Sequence, residues 1–166
     1  SLQARYKGEE EIIPHIRQKI ESQKISDETV IRFDKKAENT FDSEYDAYKF
    51  SKTGTYVSLW TIIGPVSYSI NSLPFPEAEV EIPVGINIEE SGTFKLSATK
   101  LQGLFNYQVY LMDKTTGMTV DLRTTPTIEF MAPKGMISDR FVIKVFNIST
   151  GVENPIAPES KFIVYS

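Results

Sequence analysis

The stretch AEVEIPVGINIEE, residues 78–90, decides the fold class. Ala78, Val80, Ile82, Val84, Ile86 and Ile88 share one parity, and Glu79, Glu81, Asn87 and Glu89 occupy the other. A period of two belongs to a strand with one face buried and one face wet. Pro83 and Gly85 fall inside the run and mark a bend or bulge.

The same period recurs outward from there. TFKLSATK, residues 93–100, buries Phe94, Leu96 and Ala98; DRFVIKVFN, residues 139–147, buries Phe141, Ile143 and Val145 and exposes Arg140 and Lys144. YQVYLMDKTTGMTVDL, residues 107–122, holds two alternating runs joined by DKTTG, whose Gly117 supplies a positive φ, and predicts a hairpin. YVSLWTIIG and VSYSIN predict another strand pair, with single strands at TVIRF, PTIEF and the closing KFIVYS. Short strands at this spacing, without helices of crossover length between them, predict an all-β antiparallel β-sandwich, Ig-like or jelly-roll-like.

One segment breaks the pattern. Half of the charged residues lie in the first 50 positions, and residues 9–28 carry Ile13, Ile16 and Ile20 at three- and four-residue intervals behind Pro14. That spacing predicts a short amphipathic helix; β-branched Ile leaves a charged β-hairpin arm as the alternative. The expected organisation is therefore a charged arm over 1–28, a sandwich over 29–158 and a separate last strand over 159–166. Self-association through the arm would cover its isoleucines.

At 166 residues the chain buries about two-thirds of its unfolded surface in one core. It has no Cys, which excludes disulfides, thiolate zinc sites and a thiol nucleophile. A net charge of −4 argues against nucleic acid as a partner. No apolar run reaches the roughly 20 residues of a bilayer span. The start at Ser1 and the end on KFIVYS look like an excised piece.

Chemistry-bearing residues are few. His15 is the only imidazole and sits beside Pro14 in the arm, where no triad can be assembled from it. Glu79, Glu81, Asp121 and Glu129 fall on the wet parity of strands, so a solvated face accounts for them without a glycosidase pair. Phosphate-binding and dinucleotide-binding glycine motifs are absent. FDSEYDAYKF, residues 41–50, sets Asp42, Glu44 and Asp46 at alternate positions, the beginning of a calcium loop. Ala47 and Thr53 stand where an EF-hand needs Gly and Glu, leaving an irregular Ca²⁺ site, a turn capped by Asp42 or Ser43, or a ligand-binding edge as open readings. Trp60, Tyr56, Tyr68, Tyr107 and Tyr110 are the rings a sugar could stack on; most have apolar neighbours and read as core, and Tyr110 alone takes the outward parity if Val109 and Leu111 face in.

Several phrases together carry a resemblance. ETVIRFDKKAENTFDSEYDAYKF, YSINSLP, YLMDKTTGMTVDLRTTPTIEFMA and SDRFVIKV resemble, in this order, the β-rich region that precedes the C-terminal sorting domain of large proteins exported by the type IX secretion system of Bacteroidetes. The resemblance spans roughly residues 28–147, and KFIVYS looks like the start of the sorting domain. It implies an extracellular or cell-surface, non-enzymatic module acting in spacing, stabilisation or adhesion. Its implied partners are neighbouring domains of the same protein, surface glycans or the secretion machinery. The alternative is a carbohydrate-binding module attached to a secreted polysaccharide hydrolase; a domain that is itself a hydrolase is the third reading.

Overall fold

The computed structural model describes residues 13–23, 25–37, 47–48, 56–63 and 66–148. Every regular element among them is a strand: β1 (His15–Ser22), β2 (Ile25–Phe33), β3 (Ala47–Tyr48), β4 (Val57–Ile63), β5 (Val66–Leu73), β6 (Glu79–Ile88), β7 (Gly92–Gln102), β8 (Tyr107–Asp113), β9 (Met118–Asp121), β10 (Thr127–Ala132) and β11 (Gly135–Asn147). The hydrogen-bonded order is β10-β7-β1-β2-β5-β4-β6-β11-β8-β9, with β3 beside β5. All pairs are antiparallel except β2 with β5.

This long ladder folds back on itself into a sandwich-like body with one core. Phe130 of β10 and Phe141 of β11 belong to strands seven places apart in the ladder, yet their ring centroids are 4.8 Å apart. The predicted alternations supply that core: Ile82, Val84, Ile86 and Ile88 from β6, Phe94 and Leu96 from β7, and Phe141, Ile143 and Val145 from β11 are all buried in it. Opposed apolar faces are what a two-layer β fold must bury.

The helical expectation for the N-terminal segment is overturned over residues 15–22. They form β1, which runs between β7 and β2 in the sheet interior. Ile16, Gln18 and Ile20 face inward and are fully buried, while Arg17, Lys19 and Glu21 face out. Two interior isoleucines contribute about 1.5–3 kcal/mol each by burial, so this stretch is core structure rather than an arm ahead of residue 29. The hairpin alternative holds, with β1 and β2 joined through Gln23 at φ 49. Residues 1–12 and the strand expected at 159–166 lie outside the described residues.

The irregularity expected near Pro83 and Gly85 is present, but the extra residues are on the partner strand. The β6–β11 register jumps between Ile86 opposite Ile137 and Val84 opposite Phe141, so Ser138, Asp139 and Arg140 bulge against Gly85. A bulge of this kind re-aims side chains. It turns Arg140, expected in solvent, toward β8, where its guanidinium bonds Asp113.

Candidate functional site

The two ends of the sandwich differ. The described chain enters at Ile13 and leaves at Ile148, and both positions lie by the turn between β7 and β8. Pro14 packs against Gly103 there, and the Ile148 N–H donates to the Asn106 carbonyl at 2.9 Å. Phe105, at 86% exposure, stands on that turn. β1 and β7 run away from this end; at a rise of about 3.3 Å per residue, eight residues carry them roughly 25 Å.

At the far end lies a groove of about 590 Å³. The β1–β2 turn contributes Ser22 and Ile25, the β6–β7 turn contributes Glu90 and Ser91, and β7 and β10 contribute Thr93, Lys95 and Glu129. Strand register fixes the charges. Lys95 is opposite Glu21 of β1 on one side and opposite Glu129 of β10 on the other. An acid-base-acid row therefore crosses three adjacent strands, the arrangement in which opposite charges on one sheet face support each other. The Ser22 hydroxyl donates to the Thr93 carbonyl at 2.8 Å and ties the β1–β2 turn to β7. With three carboxylates and one amine, the lining carries an excess of negative charge.

A second charged pair is structural. Arg140 Nε and Nη2 each donate to one Asp113 oxygen at 2.9 Å. The guanidinium also stands 5.1 Å from the Phe130 ring centroid and 4.9 Å from that of Phe141. Asp113 is 2% exposed. Burial alone would raise its pKa, but the Arg140 hydrogen bonds, the Thr115 N–H, the Arg140 charge and the Thr116 hydroxyl together hold it below the usual carboxylate value. Burial pushes the Tyr107 hydroxyl up.

The sequence candidates fare unequally. Asp42, Glu44 and Asp46 lie outside the described residues, and so do the readings of that stretch as a Ca²⁺ site, a capped turn or a ligand-binding edge. Among the described residues, no cluster of three His, Asp or Glu side chains is arranged to hold a metal ion. His15 opens β1, and its Nδ1 hydrogen-bonds the Ile13 carbonyl at 2.8 Å. Tyr110 does point away from the core, since Val109 and Leu111 are buried in it. Its ring is nonetheless only 9% exposed, edge-on to Phe146 at 5.8 Å, and presents no open face for stacking. Trp60 is 7% exposed, and Tyr56 and Tyr107 are half-buried.

Sequence reasoning placed Glu129 on a solvated face but missed the groove. The row Glu21, Lys95 and Glu129 comes from three distant segments, and only the strand register brings them together.

The model of the family described as "Domain of unknown function (DUF8693)" matches residues 18–145, from within β1 to within β11, and the chain belongs to that family. No curated protein and no solved structure matches it.

Proposed function

We propose that this member of the DUF8693 family is a non-catalytic β-sandwich module, Ig-like or jelly-roll-like in layout, of a large secreted or surface-anchored protein beside a type IX sorting signal. Its work is to present a polar surface away from its host, in adhesion or stabilisation. The observation that carries the reading is polarity of the fold: residues 13 and 148 lie at one end, and the charged groove lies at the other. Flanking chain then holds one end, and the groove faces outward. The exposed Phe105, Ile13 and Ile148 at the attachment end give neighbouring segments apolar surface to cover.

Rings do not drive recognition in this reading, because Trp60 and Tyr110 are buried. The carbohydrate-binding alternative is left with the hydroxyls and carboxylates of the groove. Antibodies raised against the purified domain should label intact producing cells, and labelling should vanish when type IX translocation is blocked. Retention of the domain inside the cell would sink the surface assignment. Turnover of a glycan or peptide that is lost on changing one carboxylate would sink the non-catalytic one.

A further inference from the structure

We propose that the free edge of β10 docks an extended cationic polypeptide segment, which joins the sheet as an added antiparallel strand. The proposal names a partner class for the surface described above and rests on that reading only for where the partner is met.

A sheet of this order has two outer strands, β9 and β10. β9 is closed by its own turn. The Asp121 carbonyl accepts from Thr124 and Thr125 N–H at 3.1 and 2.7 Å, and the Asp121 carboxylate accepts from the Arg123 N–H at 2.9 Å. Among the described residues, β10 has no such cover. The Ala98 N–H donates to the Pro126 carbonyl at 2.8 Å, and the register pairs Ile128 with Leu96 and Phe130 with Phe94. Residues 126, 128 and 130 thus bond β7. Backbone groups alternate sides along a strand, so Thr127, Glu129 and Met131 turn their N–H and C=O away from β7.

Of these groups, the Met131 carbonyl faces the Arg140 guanidinium at 3.5 Å. Among the described residues, no strand or side chain engages the backbone of Thr127 or Glu129 on that side. Met131 is 77% exposed beside them. Unpaired edge groups of this kind are the template on which an extended peptide adds a strand.

Charge selects the occupant. Pairing of β10 with β10 of a second copy, in the register that uses all three outward residues, sets Glu129 opposite Glu129. Like charges directly opposite are destabilising, which disfavours a second copy. A Lys or Arg at that position faces Glu129, with Glu21 in the same row and Glu90 on the adjoining turn. The intervening residues of the added strand fall on the same sheet face as Ile128 and Phe130, where an apolar side chain fits.

The test uses short fluorescent peptides of equal length, one alternating Val and Lys and one alternating Val and Glu, titrated with the protein and followed by anisotropy. The Val/Lys peptide should bind and the Val/Glu peptide should not. Glu129→Lys should reverse that preference. Thr127→Pro removes an outward N–H and keeps every backbone bond to β7, giving up only the Thr127–Ser97 hydroxyl contact, and should weaken Val/Lys binding about tenfold; a cooperative melt confirms that each variant is folded. Absence of Val/Lys binding, or binding indifferent to both substitutions, overturns the proposal. Concentration-dependent dimerisation abolished by Thr127→Pro would give the edge to a second copy, and binding of oligosaccharides in place of either peptide would give the groove to a glycan; both also overturn it. None of these results alters the labelling of intact cells, so the two readings fail separately.

Discussion

The indole of Trp60 lies across Gly85: a Cβ on that glycine would stand 2.2 Å from the ring. The two residues are paired between β4 and β6, on the face opposite the main core. Close approach of a large ring to a backbone is what a strand glycine permits. Gly85→Ala should therefore destabilise the protein by about 2 kcal/mol or more, because overpacking outweighs the small entropic gain of losing a glycine. The chain has one Trp, so its emission reports the displacement directly. Chemical denaturation with an unshifted midpoint and an unchanged emission maximum would contradict this account.

Asp113 and Arg140 form the pair whose loss should cost most. Arg140→Ala leaves a buried carboxylate without its partner, an effect of about 3–5 kcal/mol. Arg140→Lys should recover little, since an ammonium cannot make the two-pronged bond or stack flat on Phe130 and Phe141. If Lys restores full stability, the forked geometry is not what matters.

The same pair makes a pH prediction. The Asp113 pKa is lower in the folded protein than its ordinary value of about 3.9. Its contribution is therefore fully present above that ordinary value and is lost as pH falls through the depressed folded-state value. The acid limb of stability should be shallower in Asp113→Asn, although that variant is less stable at neutral pH. Parallel acid limbs in urea titrations of the two proteins would place the acid sensitivity in other carboxylates.

How far the fold could be read from sequence depended on how cleanly each strand alternates. β6 and β10 carry uninterrupted apolar parities, as do β7 over residues 94–98 and β11 over residues 141–145, and strands were expected at each of these places. β1 hid its alternation because Gln18 occupies the middle inward position, leaving Ile13, Ile16 and Ile20 to mimic a helical stripe. The parallel pairing of β2 with β5 and the row Glu21, Lys95 and Glu129 left no local trace, since each depends on which strands become neighbours. Tyr110 shows the limit of parity: it gives direction, but burial depends on what lies above the face.

Gln18 itself is testable. Its side-chain amide is fully buried, and among the described residues neither its Nε2 nor its Oε1 has a hydrogen-bond partner. An unsatisfied buried amide costs about 1–3 kcal/mol, and an apolar side chain of similar shape removes that cost. Gln18→Met should raise the denaturation midpoint, with the spectrum of the folded state unchanged. A marked loss of stability would mean that the amide is satisfied in solution and holds the β1 register.

The β8–β9 hairpin permits a cleaner separation of backbone from packing effects. Gly117 closes its loop at φ +77, and no heavy atom lies within 4 Å of a Cβ placed there. Its N–H donates to the Asp113 carbonyl at 2.8 Å, and the Thr115 N–H donates to the Asp113 carboxylate at 3.0 Å. A side chain at Gly117 thus meets no clash and pays only for the left-handed backbone, about 1 kcal/mol for Ala and less for Asn, which tolerates that region. Gly92 likewise has open space around a Cβ but has no positive φ. Gly92→Ala should be neutral or mildly stabilising, Gly117→Ala destabilising, and Gly117→Asn intermediate, as read from urea midpoints. Equal effects at the two sites would show that the hairpin shifts to relieve φ, and that the contacts of Asp113 with its loop do not hold the turn.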